Sequence, residues 1–340
     1  MKSNLTTLCY LEQDDTYLML YRNKKENDIN EGKWIGVGGH FEKGESPEEC
    51  LLREVKEETG LTLTAFTFRG IVTFEALGEL TEYMCLYVAT AWEGELTTCD
   101  EGELHWVAKD KLLTKNLWQG DRVFLHLLRQ DGPFFSLKLT YQGDRLVGCQ
   151  RDGKCMELLD VRDWDGKLTG EVIPRFIAHE TGVIHGTVHI WVVRPNGNTF
   201  DVLLQKRCQD KDAFPGCWDI SSAGHIPSGE EVTIGAVREL AEELGIHAKP
   251  EELHDIGVHK TKEDTTFYNR PFRNFEVSRV FLYQEPVDIK NLTLQKEEVE
   301  AVRWMEINKL KQMVAENGMK HCIPLEELLR LERGYYKLPK

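Results

Sequence analysis

Several features are missing from this chain, and each absence narrows what it can be. No run of about 18 apolar residues occurs, so no membrane-crossing helix is expected. The opening MKSNLTTLCYLEQDDTYLML lacks a basic region followed by an apolar core and a small-residue cleavage site, which points to a soluble, cytoplasmic protein. The nine cysteines are odd in number and contain no C-x-x-C pair, so neither a disulfide framework nor a thiolate zinc site is indicated. Cys50, Cys85 and Cys217 read instead as small buried apolar residues. Positive charge is also short: 42 Lys and Arg face 57 Asp and Glu, a net charge of -15. That balance disfavours polymeric nucleic acid as a partner, because holding its phosphates needs a positive surface. Small phosphorylated ligands stay open, since a divalent cation can supply the missing charge.

With 41% hydrophobic and 29% charged residues, and no low-complexity stretch, the chain is expected to fold throughout. Its 340 residues are too many for one typical domain and enough for two, each able to bury a core.

What is present twice is a set of seven fixed residues. One copy reads Gly39-HFEKG-Glu45-SPEECLL-Arg53-Glu54-VK-Glu57-Glu58-T-Gly60-Leu61, the other Gly224-HIPSG-Glu230-EVTIGAV-Arg238-Glu239-LA-Glu242-Glu243-L-Gly245-Ile246. At an average residue frequency of about 6%, one copy would arise by chance on the order of once per 10⁸ starting points, so two are no accident. The flanks repeat as well: Arg22 and Trp34 precede the first copy as Arg207 and Trp218 precede the second, and Trp106 follows as Trp304 does. A whole domain is duplicated, with the boundary expected in the polar stretch Gln150–Gly153, giving domains 1–152 and 153–340.

Apolar alternation predicts strands at Thr6–Leu11, Tyr17–Tyr21, Glu82–Ala89 and Leu104–Val107. The repeated motif should be a loop running into a helix. Ser46 is a good N-cap, Pro47 fits the first helical position, Glu49 completes a capping box, and Gly60 ends the helix. A helix over Gln119–Gln130 and a hairpin over Phe134–Val147 should close the first domain. The second should open on a hairpin turned at Asp165-Gly166 and finish with a helical segment from Ile307 to Glu332. Strands mixed with helices in this order imply an α/β class: two α/β/α sandwiches with mixed sheets.

On a helix, Glu54, Glu57 and Glu58 fall at i, i+3 and i+4 and share a face, as do Glu239, Glu242 and Glu243. Such a stripe is either a solvated acidic face or a site where hard oxygen ligands hold Mg²⁺ or Mn²⁺.

The spacing G-x5-E-x7-R-E-U-x-E-E-x-G-U, with U aliphatic, is that of the Nudix box, and the chain resembles a tandem of two Nudix hydrolase domains. The resemblance implies hydrolysis of a group linked to a diphosphate, with bound cations neutralising charge in the transition state. It implies that Glu54, Glu57 and Glu58, and likewise Glu239, Glu242 and Glu243, ligate metal, one of each set being a candidate general base. Arg53 and Arg238 would orient these carboxylates, and Gly39 and Gly224 would allow close backbone approach. A further acid from a later loop is common in the family, and Glu101 and Glu298 are the candidates. The substrates would be small diphosphates or nucleotides, with oligomer formation left open.

Residues 1 to about 150 resemble the MutT-type oxidised-purine nucleoside triphosphatases, including 8-oxo-dGTP diphosphatases. The likeness lies in Lys33-WIGVGGHFEKGE-Ser46 and in Leu117-Trp-Gln-Gly-Asp121 with the FFSLKLTYQGDRL hairpin. It implies that Trp118 stacks on a purine and Asp121 reads its edge, with Ile35, where close relatives often have Asn, and Arg22 also on the substrate side. Residues from about 155 on resemble the Nudix branch related to isopentenyl-diphosphate isomerase, through MELLDVRD, AHETGVIHGTVHIWV and LLQKRCQDKDAFPGCWDISSAGH. Ala223 stands where those isomerases carry cysteine, and the box carboxylates they lose are kept, which favours hydrolysis of an unidentified organic diphosphate. An isomerase-like enzyme and a nucleotide-sensing module are the alternatives. His179, His185 and His225 echo the isomerase metal histidines, and Phe267, Tyr268, Phe272 and Phe275 could line a pocket or fill a strand.

Overall fold

The computed structural model describes residues 3–25, 28–78, 80–130, 132–211 and 213–338. The outer ends of the two expected domain ranges, Met1 and Lys340, lie outside them. Backbone packing separates residues up to Leu158 with Glu171–Arg175 from Leu159–Gly170 with Phe176 onward. The stretch Gln150–Gly153 holds a turn, with Asp152 and Gly153 both at positive φ.

In the first unit, β1 (Ser3–Gln13) runs parallel to β5 (Thr81–Glu93) and antiparallel to β2 (Thr16–Arg22), whose other neighbours are β3 (Trp34–Ile35) and β6 (Gly102–Ala108). β4 (Thr62–Ala76) joins β5 antiparallel and β7 (Phe135–Gln142) parallel, and β8 (Arg145–Arg151) and β9 (Lys154–Cys155) continue the sheet. The four predicted strands are all present. Alternation sorts the side chains: Cys9, Leu11, Leu18 and Leu20 face a core shared with Leu51 and Val55 of the box helix α1 (Pro47–Thr59). Tyr10, from the other face, packs on Phe124 of α2 (Asp121–Leu128), with ring centroids 6.2 Å apart. One helix therefore covers each face, the sandwich the pattern implied.

The second unit repeats the scheme. β10 (Leu158–Arg162) and β11 (Leu168–Pro174) flank the Asp165-Gly166 turn, and α3 (Arg175–Thr181) leads into β12 (His185–Asn196). β12 pairs antiparallel with β13 (Thr199–Arg207) and parallel with a later strand, β17 (Arg270–Tyr283). Between these come β14 (Trp218–Asp219), β15 (Ser222–His225), the box helix α4 (Val232–Leu244) and β16 (Leu253–Phe267). β18 (Val299–Glu306) edges β13. α4 covers Val188, Ile190 and Val192 on one face. Trp191, Val193 and Val280 on the other lie under α5 (Ile307–Ala315) and α6 (Leu325–Tyr335). The single helical segment expected from Ile307 to Glu332 is thus two helices, because Asn317 turns to φ 50° and Pro324 cannot extend a helix backward from the second. β16 and β17 meet in a tight turn at Tyr268-Asn269, both at positive φ, which leaves Tyr268 exposed.

The helix caps follow the sequence closely. Ser46 Oγ accepts the Glu49 N–H at 3.2 Å while Glu49 returns a carboxylate to the Ser46 N–H at 2.8 Å. Gly60 closes α1 at φ 75°. α4 has no serine, and Glu231 takes its place by accepting the Ile234 N–H at 3.0 Å. Ser46→Ala should therefore lower the stability of the first unit by about 1 kcal/mol, and Glu231→Ala should do the same to the second. Urea denaturation reads both, and unchanged midpoints would contradict the capping account.

Candidate active sites

In both boxes an arginine ties the loop to the helix. Arg53 donates from Nε and Nη2 to the two Glu45 oxygens at 2.6 and 2.9 Å and from Nη2 to the His40 carbonyl at 3.0 Å. Its Nη1 reaches Glu54 at 2.7 Å and Glu57 at 3.4 Å. Arg238 repeats every contact, with both Glu230 oxygens at 3.0 Å, the His225 carbonyl at 3.2 Å, Glu239 at 2.8 Å and Glu242 at 2.9 Å. A planar five-donor fork suits this bridging, which lysine could not copy. The three glutamates do not share one environment. Glu57 and Glu242 are well exposed, whereas Glu58 and Glu243 are buried.

Glu58 accepts the Gly38 N–H at 2.8 Å, and Glu243 accepts the Ala223 N–H at 3.2 Å with the Gln205 amide at 3.4 Å. Burial nonetheless pushes each carboxyl up to about 7, with repulsion from Glu54 or Glu239 adding to it. A buried carboxyl beside two more carboxylates, which one arginine must share, is a donor set that fits a hard divalent cation. The glycines are dictated by crowding. A Cβ on Gly39 would lie 2.5 Å from the Glu54 carboxylate, and one on Gly224 would lie 2.0 Å from that of Glu239. Gly38, which the motif does not single out, sits at φ 144° with its would-be Cβ 2.2 Å from the Thr7 carbonyl oxygen.

The later acids are held by cations. Glu101 pairs with Arg22 and, at 3.1 Å, with Lys25, and Glu298 pairs with Lys211. Arg22 also binds Asp28 at 2.6 Å and is itself buried. It therefore braces the Glu101 loop, a placement the sequence did not indicate.

On the α2 face of the first unit, Trp118 and Asp121 come together. The indole N–H donates to Asn30 Oδ1 at 2.8 Å, Lys33 Nζ stands 4.8 Å from the ring centroid, and Tyr141 and Phe74 meet it edge-on. Asp121 is buried, and desolvation raises its carboxyl to about 7 against the pull of Lys33 and Arg122. Ile35 packs instead on the core beneath the box helix, because β3 pairs it with Leu20.

In the second unit His179, His185 and His225 converge, one ring nitrogen from each lying within 4.8 Å of the others. Glu276 Oε1 stands 3.6 Å from His185 Nε2 and 3.8 Å from His225 Nε2. Burial opposes its ionisation, but His185, with His225 and His189, outweighs it and holds the carboxyl below the ordinary range. Three imidazoles and a carboxylate suit a borderline cation such as Zn²⁺. Phe272 stacks on His179 at 4.6 Å, and Phe267 packs on Phe272 at 5.3 Å, so these aromatics wall the cluster. Glu276 escaped the sequence reading because it lies 51 residues beyond His225 (276 − 225) and only strand pairing with His185 brings it in. Of the cysteines expected to be buried, Cys50 and Cys217 are and Cys85 is only half-buried; Cys217 also accepts a hydrogen bond from Cys322 that holds its thiol down at about 7.

Comparison with known proteins agrees with this architecture. The NUDIX domain model matches residues 2–128 and again 183–325. An uncharacterized Nudix hydrolase of Clostridium acetobutylicum is 37% identical over 184 residues, 54% of this chain and 86% of its own length. The oxidized purine nucleoside triphosphate hydrolase of Danio rerio is 32% identical over 147 residues, 43% of this chain and 91% of its own. Among solved structures, a MutT protein from Bacillus halodurans is 27% identical with a TM-score of 0.40, covering 44% of this chain and 99% of its own. With the family's domain found twice, and with relatives named as its hydrolases, the chain belongs to the Nudix family and is a pyrophosphohydrolase.

Proposed function

We propose that the first repeat hydrolyses nucleoside triphosphates, oxidised purine nucleotides among them, and that the second hydrolyses a different organic diphosphate, each with Mg²⁺ or Mn²⁺. The observation that carries this reading is the doubled box, in which an arginine clamp and a buried third glutamate recur contact for contact. Glu54, Glu57 and Glu58 would hold the cation in the first repeat, and Glu239, Glu242 and Glu243 in the second. When bound, such a cation neutralises charge on the phosphate oxygens and makes bound water easier to deprotonate. Arg53 and Arg238 fix the carboxylates before substrate arrives. One carboxylate of each box would also take the proton from the attacking water.

Base selection in the first repeat follows from Trp118 and Asp121. The indole offers a stacking face, and the protonated Asp121 carboxyl can donate to a purine oxygen. The name of the Danio rerio relative supports the oxidised-purine assignment. For the second repeat, Ala223 beside intact carboxylates favours hydrolysis over isomerisation, and the histidine cluster offers a second cation place next to the box.

Glu58→Gln should abolish triphosphate turnover while sparing the second activity, and Glu243→Gln should do the reverse, with Cys217→Ala leaving both intact. Phosphate and pyrophosphate release across 8-oxo-dGTP, dGTP, ADP-ribose and isopentenyl diphosphate reads this, and equal loss of all activities in either variant would overturn separate sites. Metal uptake supplies a second check. Below pH 7 the folded site holds a proton on Glu58 that an ordinary glutamate, at 4.5, would have lost, and the cation must displace it. Mg²⁺ affinity at the first site should therefore rise with pH and level off above about 7. Calorimetry at pH 6 in buffers of different ionisation enthalpy should show proton release that Glu58→Gln removes. The ratio of kcat/KM for 8-oxo-dGTP to that for dGTP should fall as pH rises through about 7, where Asp121 ionises and ceases to donate. Asp121→Asn, a donor at every pH, should flatten the ratio, and a wild-type ratio independent of pH would contradict this role.

A further inference from the structure

In the first repeat the indole of Trp118 is held by a residue far from its own helix. Trp118 is half-buried, and its N–H, a donor with no accepting capacity, gives its hydrogen bond to Asn30 Oδ1 at 2.8 Å. Asn30 lies 88 residues earlier, in the loop between β2 and β3. That bond sets the rotation of the ring about its side-chain axis, while Phe74 and Tyr141 meet it edge-on and Lys33 Nζ stands over one face.

The loop that carries Asn30 is itself fastened at several points. The Asn30 N–H donates to Asp28 Oδ1 at 3.0 Å, and Asp28 Oδ2 accepts from Arg22 Nε at 2.6 Å. Burial opposes ionisation of Asp28, but the bonds from Arg22 and Asn30 outweigh it and hold the carboxyl below the ordinary range. The Lys33 N–H donates to the Asn30 carbonyl at 2.9 Å, the Arg22 N–H to the Lys33 carbonyl at 3.0 Å, and the Gly32 N–H to the Arg22 carbonyl at 2.7 Å. Arg22 also holds Glu101, so the loop that fixes the indole is anchored on the arginine that braces the later acid. The second repeat keeps the arginine without this arrangement. Arg207 donates to Asp219 at 3.1 Å and to the Ala213 carbonyl at 3.2 and 3.1 Å, bonds that tie its loop to β14 instead of leading to an indole.

We propose that Asn30 is a positioning residue for base recognition in the first site, acting through Trp118. Its amide oxygen fixes the indole plane before a nucleotide arrives, so the ring presents one orientation to the base instead of sampling several. An indole free to rotate would have to be ordered on binding, which weakens affinity. Asn30 bonds the indole and its own loop, so its effect falls on nucleotide affinity rather than on bond cleavage. This rests on the reading that Trp118 stacks on a purine.

The test uses the full chain carrying Glu243→Gln, so that only the first box is intact, with 8-oxo-dGTP and Mg²⁺. Adding Asn30→Ala should raise KM about tenfold, the effect of losing one well-formed hydrogen bond, and should lower kcat by less. Asn30→Asp, which keeps an acceptor oxygen, should leave KM near that of the parent chain. An unchanged KM in Asn30→Ala, or a loss confined to kcat, would overturn the proposal. A KM raised equally in Asn30→Asp would overturn it too, because the acceptor is then not what matters. A second readout needs no turnover. The Trp118 indole N–H resonance, assigned by its loss in Trp118→Phe, should move in Asn30→Ala, and a resonance left in place would contradict the positioning role. Trp118→Ala separates the two layers. If it raises KM while Asn30→Ala does not, this inference alone fails. If it leaves KM unchanged, or if the parent chain does not turn over 8-oxo-dGTP, the base-stacking reading fails and takes the inference with it.

Discussion

One guanidinium in each repeat organises everything that follows it. Arg53 and Arg238 each hold a loop glutamate, a loop carbonyl and two helix glutamates at once, so the loop and the helix of the box become a single rigid part. Without that bridge, the close approach of Gly39 to Glu54 or of Gly224 to Glu239 would set chain against carboxylate with nothing to fix the distance. With it, the third glutamate of each box is pressed into a buried place where its charge is costly. The fold thereby stores a carboxyl that gains from a divalent cation, because the cation restores what burial took away.

Outside the box the two repeats have diverged on the opposite face of the sheet. The first gathers Trp118, Phe74 and Tyr141 around a carboxyl that burial keeps near neutrality. The second gathers imidazoles around carboxylates that stay ionised, Glu276 among His185 and His225 and Glu327 against His189. One face suits a flat, weakly polar ring, the other a charged or metal-bound group. On the proposed reading, the duplicated domain retains the reaction machinery and exchanges the recognition face.

The box was legible in the sequence because its geometry is local. Ser46, Glu49 and Gly60 act within one helix, and Arg53 reaches partners at most 13 residues away, so spacing alone encodes the outcome. The closeness of Trp118 and Asp121 at the start of α2 was legible for the same reason, since they lie three residues apart. What stayed hidden depends on long-range pairing. Arg22 sits 79 residues before Glu101, and only the β2–β6 ladder joins their loops. Glu276 and Glu327 reach their histidines across strand pairing and helix docking that no window of sequence contains. The break between α5 and α6 was missed for a different reason. Apolar periodicity continues on both sides of Asn317 and outweighed the turn and stop signals, Asn317-Gly318 and Pro324, that the sequence does carry.

The claim on which the account stands is that both boxes take up a divalent cation at their glutamates. A crystal of the chain soaked in MnCl₂ tests it through the anomalous difference map at the manganese edge. The account predicts peaks in both repeats, one in contact with Glu54, Glu57 or Glu58 and one with Glu239, Glu242 or Glu243. Density confined to the histidine cluster, or absent from either box, would contradict it.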